Sequence, residues 1–252
     1  MPTYGPKIVT DGLRMCLDAG LTKSYVDGES IWRDLTKNRS DATLRSTLSS
    51  SFNNTTKMFE LNGTSHYASL DYSYGGGNTI SEVSCFAVAS TTVAVGGATW
   101  GSDNWSILDF DRSEVFTFAF NGGGQVQMNG KASNYGGQEE FYDLFGNQSV
   151  ADGLPHYIGW TYSVSRQEIV MYVDGNVDKV ITLNGSATAL GGGGLERYGI
   201  IGDGSEAEVP NGAKNETYMN GDIGLIHFYD AKALTPNEVK QNYNAIKGRY
   251  NL

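Results

Sequence analysis

Ile169-Val170-Met171-Tyr172-Val173-Asp174-Gly175-Asn176-Val177-Asp178-Lys179-Val180-Ile181-Thr182-Leu183 holds the local signal that decides the fold class. Two runs rich in β-branched and aromatic residues flank Asp-Gly, a dipeptide whose tolerance of positive φ suits the tight turns that join antiparallel strands. The segment predicts a hairpin, with Ile169 to Val173 entering and Val177 to Leu183 leaving. The chain's 33 Gly, 15 Tyr and 10 Phe against only 5 Pro extend that reading to many short strands joined by tight turns. A length of 252 residues suits one large β-sandwich.

Other strands follow from period-two alternation. Leu13, Met15 and Leu17 share one face, opposite Arg14, Cys16 and Asp18. Met58 to Leu61 is a second apolar segment. Val83 to Ala89 is apolar on both faces and is expected at the centre of a sheet. Trp105 to Phe110, Val115 to Phe120, Tyr157 to Tyr162, Tyr198 to Ile201 and Ile223 to Tyr229 complete the set. Phe116, Phe118 and Phe120 define a face that must be buried. The glycine-rich stretches Tyr72 to Gly77, Asn121 to Gly124 and Gly191 to Gly194 are expected as loops.

One helix is marked near the end of the chain. Thr235 can cap it, Pro236 suits its first turn, and Glu238 can return a bond to the cap. Leu234 and Val239 form a hydrophobic staple, while Val239, Tyr243 and Ile246 make the apolar stripe. Gly248 is expected to stop the helix. No composition shift divides the chain, so residues 1–10 are assigned to an N-terminal leader and residues 11–252 to one domain.

Asp11-Gly12-Leu13, Leu17-Asp18-Ala19-Gly20, Lys23-Ser24-Tyr25, Ile31-Trp32 and Asp34-Leu35-Thr36-Lys37-Asn38 resemble, in order and spacing, the laminin-G-like jelly-roll proteins of tailed-phage virions. The resemblance continues through Phe59-Glu60-Leu61-Asn62-Gly63, Tyr172-Val173-Asp174-Gly175 and Gly221-Asp222-Ile223-Gly224. Its most specific part is the tail, from Ala233-Leu234-Thr235-Pro236-Asn237-Glu238-Val239 to Gly248-Arg249-Tyr250. It implies an all-β, two-sheet antiparallel jelly-roll sandwich of the concanavalin A-like type with one short C-terminal helix. It also implies a non-enzymatic virion structural protein, either a capsid decoration subunit or a tail- or fibre-associated one. The implied partners are other virion proteins of the capsid or tail, further copies of the chain in a homo-oligomer, and a glycan. A stand-alone carbohydrate-binding lectin-like protein and a divergent glycoside hydrolase are the alternatives.

The net charge of −10 disfavours nucleic acid and anionic membrane as partners, because tracking phosphates needs clustered Lys and Arg. The opening Met1-Pro2-Thr3-Tyr4-Gly5-Pro6-Lys7 lacks the pattern of a signal peptide, so the expected site of synthesis is the host cytoplasm and the expected location the virion. Cys16 and Cys85 stand far apart on candidate strands and read as reduced, buried thiols.

Asp109-Phe110-Asp111-Arg112-Ser113-Glu114 has the acidic spacing of the E-x-D-x-x-E signature of retaining glucanases, with Asp in place of the first Glu. Retaining hydrolysis needs two carboxyls about 5 Å apart, and the shorter side chain disturbs that geometry. The expected state of Asp109 and Asp111 is therefore a solvated turn without catalysis. His227, among Leu225, Ile226 and Phe228, reads as a satisfied strand histidine. No cofactor is certain, and calcium is the one candidate ion. Asp203, Glu206, Asn220 and Asp222 are its candidate ligands, being hard oxygen donors in loops. Trp100, Asp103, Asn104, Asn134 and Tyr135 are the candidate carbohydrate-binding residues, because aromatic faces stack on sugars and amides bond their hydroxyls. Trp105 shares a face with Ile107 and is expected in the core.

Overall fold

A computed structural model describes residues 7–93, 105–135, 138–183, 189–192 and 194–252, with the backbone alone for 133–135 and 138–143. Two antiparallel sheets pack face to face. The first has the order Asn176–Thr182, Glu168–Val173, His156–Ser163, Glu82–Ser90, Asn220–Asp230, Met58–Asn62 and Phe52–Asn53, and Leu13–Asp18 also pairs with Asn220–Asp230. The second runs Ile31–Trp32, Ala42–Arg45, Tyr67–Gly75, Glu196–Ile201, Trp105–Asp109, Phe116–Phe120, Gln125–Tyr135, Leu190–Gly191 and Thr79–Ile80. Gln138–Ser149 pairs with Gln125–Tyr135 beside this path.

The hairpin forms as its sequence dictates. Asp174 and Gly175 both take positive φ, at 50° and 72°, the conformation of a turn whose twist matches the strands it joins. Glu82–Ser90 lies centrally, between His156–Ser163 and Asn220–Asp230. Its alternation feeds two layers at once. Val83, Cys85, Ala87 and Ala89 enter the core between the sheets, while Phe86 and Val88 face outward into a second apolar layer. Phe116, Phe118 and Phe120 are buried in the inner core, where the Phe116 ring meets Trp160 edge-on at 5.1 Å. Trp105 is buried there too. Both cysteines are free and buried.

The outer layer is closed by the helix Pro236–Tyr250. Thr235 caps it, with Glu238 returning the bond and Pro236 in the first turn, so both halves of the capping box are formed. Val239, Ile246 and Tyr250 then pack against Phe86, Val88, Tyr157 and Leu225 on the outer face of the first sheet. Val9, placed in the leader by the sequence, joins this layer, donating its N–H to Asn242 Oδ1 at 2.8 Å and accepting from the Tyr229 hydroxyl at 2.9 Å.

Three local expectations are corrected. Leu13 packs in the outer layer, not with Met15 and Leu17, because a register shift between Leu13 and Met15 turns it to the opposite face. Gly248 does not end the helix, which runs on to Tyr250 and stops at Asn251 in the left-handed conformation, φ 56°. Tyr72 to Gly75 is not loop but the continuation of the Tyr67–Gly75 strand.

Candidate functional site

Alternation on Phe116–Phe120 sends the aromatic residues inward and Thr117 to the opposite face of the second sheet, and a register shift within Trp105–Asp109, after the inward Trp105, turns Asp109 to that same face, directly across from Thr117. The chain between Ile201 and Asn220 folds back there. Ser205 Oγ donates to the Tyr198 carbonyl at 2.6 Å, and Ser106 Oγ lies 2.9 Å from Thr217 Oγ1. The acidic cluster is therefore sealed, with both Asp109 and Asp111 at 0% exposure. The expected solvated turn is overturned. A strand face turned from the core reads as solvent in the sequence, and nothing local announces the segment that covers it.

Inside, every acid has partners. Asp109 accepts from the Asp111 N–H at 2.5 Å and from Thr117 Oγ1 at 2.9 Å. Burial pushes its carboxyl well above the usual range, which favours the neutral form. Asp111 accepts from Ser113 through one oxygen and from Arg197 Nε through the other, at 2.7 Å. The same guanidinium reaches Glu208 at 3.3 Å and Glu206 at 3.6 Å, at the protein's edge. Glu114 accepts from the Leu195 N–H. The arrangement ties the sheet to its covering segment. It presents no carboxyl pair to a substrate.

The calcium candidates are parted. Glu206 pairs with Arg197, and Asp203 is buried, accepting from the Gly204 N–H at 2.7 Å. Asn220 and Asp222 instead line a polar depression of about 220 Å³ with Glu60, Ser90 and Thr91. Asp222 accepts there from Ser90 Oγ at 2.6 Å. Among the described residues no group of three or more His, Cys, Asp and Glu converges as a metal cage.

Asp203 has a measurable signature instead. Burial pushes its carboxyl up to about 6, so the folded protein holds this proton more tightly than the unfolded chain does. Its stabilising contribution is fully present below about pH 4 and is lost as pH rises through about 6. Urea unfolding of the protein and of Asp203→Asn from pH 4 to 7 should show a decline of roughly 2 kcal/mol that the variant lacks. Parallel pH profiles for the two proteins would contradict this.

Of the carbohydrate-binding candidates, Trp100, Asp103 and Asn104 lie outside the described residues. Asn134 and Tyr135 fall at the end of the Gln125–Tyr135 strand, with side chains likewise outside them. A different depression, of about 260 Å³, opens where Tyr72, Ser73, Tyr74, Asn78, Thr79 and Asp230 meet. The hydroxyls of Tyr72 and Tyr74 each approach a different oxygen of Asp230, both at 3.5 Å. The two rings meet edge-on at 6.0 Å, and the Arg14 guanidinium stands 4.0 Å from the centre of the Tyr72 ring. Burial raises both phenols, Tyr74 to about 12, so they remain donors at neutral pH. Asn78 spends an N–H on the Gly75 carbonyl, leaving its oxygen as an acceptor. Two donors, a carboxylate held only by long bonds and an amide oxygen suit a hydroxyl-rich ligand. In the sequence, the run Gly75-Gly76-Gly77 disguises the strand that places these tyrosines.

No family model matches the sequence. No curated protein matches it either. Solved structures do match the fold. The binding domain of Paraclostridial Mosquitocidal Protein 1 superposes with a TM-score of 0.57 at 11% identity, over 93% of this chain and 52% of that one. The binding domain of Botulinum Neurotoxin DC, in complex with SialylT, gives 0.57 at 10% identity, over 94% of this chain and 52% of that one. Trypanosoma rangeli sialidase in complex with sialic acid gives 0.56 at 12% identity, over 98% of this chain and 36% of that one. The chain thus spans about half or a third of the length of these molecules, and the likeness is one of fold, a two-sheet β-sandwich.

Proposed function

We propose that this chain is a non-catalytic, lectin-like binding module that takes a hydroxyl-rich glycan at the Tyr72–Tyr74–Asp230 depression. The observation that carries the reading is the Asp230 carboxylate, open in a depression and facing two phenols at 3.5 Å. Of the acids with hydrolase-like spacing, by contrast, Asp109 and Asp111 are buried and Asp111 is clamped by Arg197. The glycan complex of a protein with a similar fold adds to the plausibility of sugar as ligand, although a fold of this breadth does not assign a function. Its proposed setting is the surface of a tailed-phage particle, as a subunit of a homo-oligomer held by capsid or tail proteins. That part rests on the resemblance of the N-terminal and C-terminal segments.

A glycan array followed by calorimetry tests the site. Asp230→Asn and Tyr74→Phe are each expected to weaken the selected glycan at least tenfold, since a site built to bond hydroxyls loses most when a buried partner is removed. β-Glucans, alginate and peptidoglycan should be left intact. Sugar binding untouched by both variants would reject the depression, and turnover abolished by Glu114→Gln would replace the reading with a hydrolase. Imaging of purified particles carrying a labelled chain tests the setting, and absence of the label would reject it.

A further inference from the structure

The outer layer over the first sheet is open along one side. Between the Ile8–Thr10 segment, the Leu35–Lys37 loop and the last turns of the helix lies a groove made of two adjoining depressions, each of about 330 Å³. They share Ile8, Thr10, Cys16 and Leu35. One continues to Leu13 and Lys37, the other to His227, Ile246 and Arg249. Cys16 and His227 are cross-strand neighbours and form the floor.

His227 is only half satisfied. Its ring is fully buried, Nδ1 lies 3.2 Å from the Tyr157 hydroxyl, and Nε2 has no hydrogen-bond partner. The tautomer follows from the neighbours. The Val9 N–H bonds Asn242 Oδ1, which fixes the amide with its NH₂ toward the phenols of Tyr229 and Tyr157. With the Tyr157 oxygen turned to the Asn242 amide, the arrangement that leaves neither ring nor phenol short has the Tyr157 hydrogen on His227 Nδ1. A neutral imidazole carrying no hydrogen on Nδ1 carries it on Nε2. Burial keeps the ring neutral, pushed down to about 3. A single N–H donor thus sits unpaired at the floor of a mostly apolar groove.

The rim is basic although the chain as a whole is acidic, at −10. Lys7 and Lys37 line the groove and take part in no ion pair among the described residues. The one acid in the lining, Asp18, is already engaged, by Arg249 at 2.5 Å and by the Tyr250 hydroxyl at 2.7 Å. The guanidinium keeps further N–H groups to offer.

We propose that this groove binds a medium-chain aliphatic carboxylate, its head group taken by the His227 Nε2–H, Lys7 and Arg249 and its tail laid along Ile8, Leu13 and Leu35. Apolar walls with few convergent polar groups are the usual make-up of a small-molecule site, and the volume suits a small ligand. The site is separate from the sugar depression and does not depend on it.

Titrating the full chain with sodium decanoate below its micelle concentration tests this, by calorimetry and by nitrogen-15 NMR of the histidine rings. The expected result is saturable one-to-one binding with a shift of the His227 Nε2–H resonance, and decanol binding at least tenfold more weakly. Leu35→Glu and Lys7→Glu should each weaken decanoate at least tenfold while circular dichroism stays unchanged. Both positions lie at the surface, so the fold is not at risk. Asp230→Asn should change nothing. Absence of saturable binding, decanol binding as tightly as decanoate, or an unmoved His227 resonance that reports only ordered water would each overturn the proposal.

Discussion

Arg197→Ala is expected to lower the unfolding free energy by about 3–5 kcal/mol, the range seen when one partner of a buried ion pair is removed and the other left behind. Asp111 has no exposed surface and accepts from Arg197 through one of its two oxygens. Without the guanidinium its charge is stranded inside the protein beside Asp109. The same deletion frees Glu206 and Glu208, so the covering segment loses its electrostatic tie to the sheet. The double variant Arg197→Met with Asp111→Asn should recover part of the loss, because it strands no charge and Asn tolerates the left-handed backbone at position 111, φ 66°. Urea unfolding at pH 7 measures both. A single variant within about 1 kcal/mol of the native protein would show that the pair does not hold this layer together.

Gly159→Ala is expected to cost more than about 4 kcal/mol, in the range reserved for substitutions with no room to relax. Gly159 sits in His156–Ser163 between two paired strands, directly opposite Phe86 and Tyr172. A methyl group there would overlap the Cys85 carbonyl oxygen, which is backbone, and stand 2.7 Å from Phe86 Cγ. The Phe86 ring occupies that space because it stacks on Tyr157 at 5.2 Å. Moving it would disturb the surface on which the helix rests. The readouts are thermal unfolding and near-ultraviolet circular dichroism, and an unchanged midpoint would mean that the central strands can part at little cost. Phe86→Ala together with Gly159→Ala should fold better than Gly159→Ala alone if ring crowding is the main fault, and no better if the carbonyl contact is.

What could be read from the sequence is what local chemistry decides. Asp174-Gly175 fixes its turn through backbone conformation, and Thr235, Pro236 and Glu238 fix a helix start through bonds within a few residues. The central position of Glu82–Ser90 was legible because both faces are apolar. The long pair Gln125–Tyr135 and Gln138–Ser149 was not. Gln127 and Asn129 interrupt its apolar pattern although both are fully buried, and three register shifts break its periodicity. The candidate sites failed to be legible for the same reason. Asp109 and Asp111 look like surface acids until Arg197, far along the chain, arrives beside them. Asp230 meets Tyr72 and Tyr74 only through tertiary packing, and the unpaired nitrogen of His227 is the product of a chain of bonds that begins at Val9.

Asn220–Asp230, the last strand to be made, lies inside its sheet, with Glu82–Ser90 on one edge and both Leu13–Asp18 and Met58–Asn62 on the other. Leu13–Asp18 and the inner edge of Met58–Asn62 therefore lack their central partner until Asn220–Asp230 has been made. Ribosomes extend a chain by about 5–20 residues per second, so these apolar edges stay unpaired for many seconds during synthesis. Closure then depends on contacts between opposite ends of the chain, the slowest kind to form in a two-state domain. The late arrival of one central strand ties closure of the first sheet to the synthesis of Asn220–Asp230, and the interval before it is when the nascent protein is most exposed to aggregation and proteolysis.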